Sequence, residues 1–210
     1  MEDKTYPLVL KGELDESLSP ALWLVKWILL IPHFIVLAFL WVAFIFVTFI
    51  AFWAILFTGK YPESLFEFNV GVMRWTWRVA FYSYGALATD DYPPFSLDEK
   101  EDYPANLTVE YPEQLTQWMV LVKWLLAMPH YLVTALFFGW ESTSTAGVAN
   151  HQHGGLLWIL VVIAAIVLLF TGGYIKDIFK LVMGINRWGF RVLAYVALMT
   201  DEYPPFRLEE

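Results

Sequence analysis

Cysteine is missing from all 210 residues, which excludes disulfides, thiolate metal sites and cysteine nucleophiles. Charge is scarce, at 16% of residues, and the balance is −8. No basic stripe exists to meet phosphates, so nucleic acid is not expected as a partner. The chain also has no nucleophile elbow, phosphate-binding loop, haem-attachment motif or paired catalytic carboxylate. A non-enzymatic protein without a cofactor is the expectation that follows.

What is present is apolar. Hydrophobic residues make up 59% of the chain, including 11 Trp, well outside the composition of a soluble domain. Residues 21–58 carry one charge, Lys26. Residues 117–138 carry only Lys123, and 156–171 carry none. Runs of this length enter a bilayer, so the class expected is an integral membrane protein in contact with lipid. The start, Met1-Glu2-Asp3-Lys4, is polar, and the first apolar run begins near residue 21. That does not fit a cleaved secretory signal, so the first membrane helix is expected to direct insertion.

The chain also repeats itself. Tyr6-Pro7, Lys26-Trp27 and Pro32-His33 return as Tyr103-Pro104, Lys123-Trp124 and Pro129-His130, all 97 residues later. Between 6–33 and 103–130, 13 of 28 positions are identical, which makes a tandem duplication the unit of organisation. Later echoes are Phe57-Thr58-Gly59 with Phe170-Thr171-Gly172, and Arg74-Trp75 and Arg78 with Arg187-Trp188 and Arg191. The last is Thr89-Asp90-Asp91-Tyr92-Pro93-Pro94-Phe95 with Thr200-Asp201-Glu202-Tyr203-Pro204-Pro205-Phe206. Repeat 1 is read as residues 1–100 and repeat 2 as 101–210.

Each repeat is expected to hold a transmembrane helical hairpin, at about 20–41 and 43–58, then 117–138 and 156–172. The all-α integral membrane fold then has about four transmembrane helices. The 38 residues of 21–58 would make one helix about 57 Å long, against a hydrocarbon core of about 30 Å. Repeat 2 carries a polar insert, 139–155, where a turn would sit, and the same turn is placed near Trp41–Ala43 in repeat 1. One long, tilted or broken helix is the alternative there. Pro32 and Pro129 are expected to kink the first helix of each hairpin. A break into a short helix, 20–31, and a crossing from His33 is the alternative. Gly59 and Gly172 suit helix ends, and Pro62 suits the next helix start.

Segments 63–87 and 175–198 pair arginine with tryptophan and read as amphipathic interfacial helices. Lys60, Lys176, Lys180 and the arginines lie on one side, and none of the 13 basic residues lies in the insert. That side is expected to be cytoplasmic, with both chain ends there. Leu8–Leu14 and Leu107–Tyr111 look extended, and are expected to pair across the copies in a small cytoplasmic cap.

Candidate site residues follow from the duplication. Lys26 and His33, like Lys123 and His130, stand two helical turns apart and suit a lipid phosphate, a metal or a proton relay. Snorkelling of each lysine and local pairing of each histidine is the plainer reading. Arg74, Arg78, Arg187 and Arg191 suit anionic headgroups or general anchoring. Asp90 and Asp201 are expected to pair with those arginines or to stabilise turns. His151 and His153 are candidates for adventitious metal binding, or part of a polar loop; no dedicated metal site is expected.

The string Ile31-Pro32-His33, Phe57-Thr58-Gly59-Lys60-Tyr61-Pro62, Arg74-Trp75 with Arg78, and Thr89 to Phe95 resembles a bacterial membrane-protein family catalogued as domain of unknown function 4389. The resemblance covers both repeats. It departs at Gly173-Tyr174-Ile175, which lacks the Tyr-Pro pair, and at the insert. It implies a protein of the bacterial cytoplasmic membrane and supplies no activity, ligand or site residue. The expected function is an accessory or scaffold subunit of a membrane complex, partnered by lipids and other membrane subunits, with the copies related by a pseudo-twofold axis along the membrane normal. A lipid-binding or small transport protein with a site between the repeats, near Lys26, His33, Lys123 and His130, is the alternative. A metal-dependent enzyme using the histidines is the third reading.

Overall fold

The computed structural model describes residues 6–141 and 152–209. Its elements are β1 (Leu8–Gly12), α1 (Trp23–Leu29), α2 (Ile31–Thr58), α3 (Glu63–Tyr82), β2 (Ala105–Val109), α4 (Met119–Leu126), α5 (Met128–Phe138), β3 (Gly139–Glu141), β4 (Gln152–Gly154), α6 (Leu156–Thr171) and α7 (Lys176–Val196).

Repeat 1 does not form the expected hairpin. α2 is one continuous helix of 28 residues, about 42 Å at 1.5 Å per residue. Nothing in Leu40-Trp41-Val42-Ala43-Phe44 interrupts the hydrogen-bond ladder, and no glycine or proline follows Pro32 until Gly59. Gly59 then stops it. Its φ of 71° is left-handed, and its N–H donates to the Ile55 carbonyl at 2.8 Å. Gly172 repeats this after α6 with φ 70°. Pro32 sits in the first turn of α2, where a missing N–H leaves no helical bond unmade. The chain therefore breaks between α1 and α2 instead of kinking. In repeat 2, α4 and α5 meet at 45° at the same place.

The insert of repeat 2 also has a different meaning. α7 follows α6 through a short turn and packs on it, then lays Trp188 against His130 and Phe137 of α5, with ring centroids at 5.5 and 5.3 Å. α3 runs the same path along α2, with Asn69 bonded to Thr48, Thr76 to Trp41 and Trp75 to His33. α5 and α6 therefore stand in for the two halves of one α2. The insert leaves that helix sideways through the antiparallel β3–β4 pair. Gly155 permits the return, since a Cβ there would fall 2.3 Å from the Phe137 carbonyl oxygen. The expected pair 117–138 and 156–172 is thus an interrupted helix, and the turn inferred from it for repeat 1 has no counterpart.

Among the described residues one helix, α2, is long and apolar enough to cross a membrane. The bent pair α4–α5 adds a second if counted as one span, and α6 has 16 residues. The expected four transmembrane helices are not found among the described residues.

Segments 63–87 and 175–198 are not peripheral amphipathic helices but pack as core. α3 buries Phe66, Val70, Met73, Trp77 and Phe81 among others, and α7 buries Val182, Ile185, Trp188 and Val192. They form the middle of three layers. α2 packs on one side of α3, and α5 and α6 on the same side of α7, while β2 packs on α3 and β1 on α7 from the other.

The expected pairing of the extended segments across copies is found. β1 and β2 are antiparallel, and Leu10 faces Leu107, its own equivalent 97 residues on. The flanking pairs, Leu8 with Val109 and Gly12 with Ala105, are exchanged by the same offset. A local twofold axis therefore passes through the Leu10–Leu107 pair. It continues between Trp77 and Phe190, equivalent residues whose rings lie 5.8 Å apart. The strands are swapped: Tyr6 donates to the Glu202 carbonyl at 3.2 Å and Tyr103 to the Asp91 carbonyl at 3.1 Å, each reaching into the other copy.

Each half therefore lacks the strand that covers its own central helix. Residues 1–100 and 101–210, expressed as separate chains, are expected to co-purify as a complex and to be lost when made alone. Recovery of either half as a folded monomer contradicts the swap.

Candidate functional site

The motifs kept in both copies converge once per copy, around the break between the first two helices of each apolar arm. In repeat 1 the Lys26 ammonium donates to Asp90 Oδ1 at 2.8 Å and to the Thr89 carbonyl at 2.6 Å, and lies 4.6 Å from the Tyr82 ring centroid. In repeat 2 Lys123 donates to Asp201 and the Thr200 carbonyl, both at 2.8 Å, with Tyr195 at 5.4 Å. Each lysine is 1% exposed, so neither snorkels to an interface.

The turn after α3 and α7 aims these acceptors. Thr89 Oγ1 accepts the Asp91 N–H and Thr200 Oγ1 the Glu202 N–H, both at 3.1 Å. Leu87 and Leu198 stand just before it with φ of 54° and 67°. A left-handed backbone is uncommon for leucine, and its presence in both copies marks a turn held by its surroundings. The second carboxylate oxygen of each aspartate accepts a backbone N–H, from Ser19 at 2.5 Å and Thr116 at 2.6 Å. Asp90 and Asp201 thus pair with the lysines, not with the arginines as expected. Burial by itself raises the Asp201 carboxyl, but the Lys123 hydrogen bond, the Thr116 N–H and the Lys123 charge outweigh it and hold the group below its ordinary value.

His33 lies seven residues on, past the helix break, and is fully buried. Its Nδ1 accepts the Trp75 indole N–H at 3.0 Å, and its ring stacks on Phe95 at 3.8 Å. His130 stacks on Phe206 at 4.3 Å beside Trp188. The tyrosine of each Tyr-Pro-Pro-Phe string closes the break, Tyr92 donating to the Leu29 carbonyl at 2.9 Å and Tyr203 to Leu126 at 3.1 Å. These carbonyls stand at helix ends and would otherwise be unpaired. Lys26, His33, Lys123 and His130 therefore make two separate internal clusters, and no site between the repeats.

The arginines face inward too. Arg74 is 8% exposed and donates to the Leu107 and Leu97 carbonyls, each at 2.9 Å. Arg78 is fully buried, donates to the Asp98 carbonyl, and is pushed down to about 10 by burial, with Arg74 adding to the shift. Arg191, 3% exposed, donates to the Glu209 carbonyl at 3.0 Å, and Arg187 to Leu208 at 3.1 Å. The headgroup role expected of Arg74, Arg78 and Arg191 is closed to them by burial. Their work is to fix the segment after each Tyr-Pro-Pro-Phe string against the central helix. Gly71 and Gly184 admit that segment, since a Cβ on either would fall 2.8 Å from the Cβ of Leu97 or Leu208.

His151 lies outside the described residues, and of His153 only the strand backbone is described. Among the described residues no three His, Asp or Glu converge as metal ligands. A groove of about 360 Å³ lies mainly in repeat 2, lined by Tyr131, Thr134, Phe138 and Phe190 among others, with Trp41 and Thr76 of repeat 1 at its side. The ring partners Tyr82, Tyr195, Phe95 and Phe206 are not among the candidate site residues the sequence singles out, although Tyr82 recurs as Tyr195 and Phe95 as Phe206.

Removing one member of a buried ion pair leaves the other uncompensated. Lys26→Ala is expected to destabilise the chain by about 3 kcal/mol, read as a lower thermal midpoint. Lys26→Met with Asp90→Leu recovers part of that loss; an unchanged midpoint in Lys26→Ala contradicts the pairing. Asp201, lowered in the folded chain, contributes stability that is complete above its unfolded value and is lost as pH falls through the folded one. Asp201→Asn is expected to flatten the acid limb of the stability profile, and a limb as steep as in the parent chain contradicts it.

A family model described as a domain of unknown function, DUF4389, matches residues 20–96 and 146–207, one segment in each copy. No curated protein and no solved structure matches the chain.

Proposed function

The chain belongs to the DUF4389 family, and from that premise we propose that it is a non-enzymatic scaffold of the bacterial inner membrane, an accessory subunit that other membrane proteins assemble on. One observation carries this reading. Both copies expose equivalent large apolar residues: Trp27 and Trp124 at 53% and 57%, Phe39 and Leu136 at 73% and 67%, Phe57 and Phe170 at 73% and 82%. Soluble monomers rarely expose apolar patches of this extent. The lysines, arginines and aspartates kept in both copies, by contrast, point inward and bond within the chain, as a frame requires.

The basic residues lean toward the sheet side, which supports placing Lys11, Lys100, Lys176 and Lys180 toward the cytoplasm. A second reading, a lipid-binding protein, is favoured by the apolar groove lined by Trp41, Tyr131, Phe138 and Phe190.

Mild-detergent extraction of native membranes and affinity capture of the chain test the scaffold. A stoichiometric membrane-protein partner is expected. Recovery only as a free monomer, carrying a lipid lost in Phe138→Trp, would favour the second reading over the first.

A further inference from the structure

The layers and the twofold axis together set how the molecule meets lipid. We propose that its apolar helices lie flat in a single leaflet, with the twofold along the membrane normal, and do not cross the bilayer. This rests on the membrane reading above and goes beyond it by fixing the surface and its occupant.

The axis runs through the strand pair at Leu10–Leu107 and between Trp77 and Phe190, toward the apolar arms. The central helices lie against the sheet: Arg74, Trp77 and Arg78 of α3 reach β1, β2 or the segment beside them, and Phe81 of α3 and Met183 of α7 both meet Gly12 of β1. α2 lies antiparallel on the far face of α3, from Thr48–Asn69 to His33–Trp75. α2 and the α5–α6 arm are therefore roughly perpendicular to the axis, side by side in one outer layer.

Among the described residues, the helices of that layer show no exposed charge. α2, α5 and α6 contain no Asp, Glu, Lys or Arg, and the only charges in α1 and α4 are the buried Lys26 and Lys123. The middle layer is rimmed by exposed Glu63, Glu67, Lys176, Asp177 and Lys180. The sheet side carries exposed Lys11, Glu13, Glu99, Lys100, Glu101 and Asp102. Polarity thus rises in steps along the twofold, from hydrocarbon-like, through a charged rim, to a water-facing sheet.

If α2 stood across the membrane, the twofold would lie in the membrane plane. The sheet face would then sit at bilayer depth, with Lys11 and Glu99 against acyl chains, and ionised groups there are costly. Laid flat, a helix about 10 Å across fits a leaflet of about 15 Å, and the charged rim meets the headgroups. The occupant of the apolar face is therefore lipid of one leaflet.

Because the chain has no cysteine, single-cysteine variants test this cleanly. Asp91 stands beside the start of α2, where Tyr92 and Phe95 clamp the helix break, and Lys60 stands just past its end. Asp91→Cys and Lys60→Cys are expected to react with a membrane-impermeant maleimide from the same side, in spheroplasts against inverted vesicles. Reaction from opposite sides overturns the flat placement and leaves the membrane reading standing. Release of the whole chain by alkaline carbonate overturns the membrane reading itself. Nitroxides on Phe39→Cys, Ile45→Cys and Phe57→Cys are expected at one common depth with free access to oxygen. A maximum of depth at the middle position overturns the placement, as does oxygen exclusion with spin coupling between two copies.

Discussion

The strand swap across the local twofold is the constraint from which the other features follow. Leu10 and Leu107 can meet as equivalents only if the two copies are related by rotation about an axis through that pair. The rotation places each strand on the central helix of the opposite copy, and the central helices then cross at Trp77 and Phe190. With one face of α3 and α7 covered by the sheet, the other face is left for the apolar arms. The layer order, and with it the one-sided apolar surface, is set by pairing ten backbone residues.

Cations buried inside an apolar protein need a structural reason, since an uncompensated ammonium or guanidinium is expensive. Here each is matched to acceptors that the fold must tie down anyway. The lysines take the carbonyl and carboxylate of the turn that follows the central helix. The arginines take carbonyls in the segment that returns from that turn toward the sheet. A carbonyl acceptor adds no second charge to bury. The frame is thereby closed by polar bonds at its inner seams, and among the described residues the helices of its outer face carry no exposed charge.

Much of this was legible in the residues. The duplication, the helical class, the glycine stops at 59 and 172, and the cross-copy pairing of Leu8–Leu14 with Leu107–Tyr111 were each readable from local pattern. The topology of the arms was not. A 17-residue polar insert looks the same in sequence whether it joins two antiparallel helices or leaves one helix sideways, and only the path of Trp188 along His130 and Phe137 separates the two. The arginines were misread for a related reason. An arginine beside a tryptophan at four-residue spacing fits a headgroup and a buried carbonyl equally well, and the carbonyls in question lie 16 to 33 residues away. The Lys26–Asp90 pair was hidden by a separation of more than 60 residues, though both members recur in the second copy.

Oxidative cross-linking of a double variant, Val9→Cys with Thr108→Cys, addresses the swap without reference to lipid or partner. These residues face each other in the register, and a hydrogen-bonded antiparallel pair of this kind separates its Cα atoms by about 5.5 Å, within reach of a disulfide. A near-complete internal disulfide is the result expected, seen as a shift on a non-reducing gel, with little in Val9→Cys with Asn106→Cys. Absence of the first bond in protein that is otherwise folded, or its formation only between separate chains, would mean that the copies are not joined in this way.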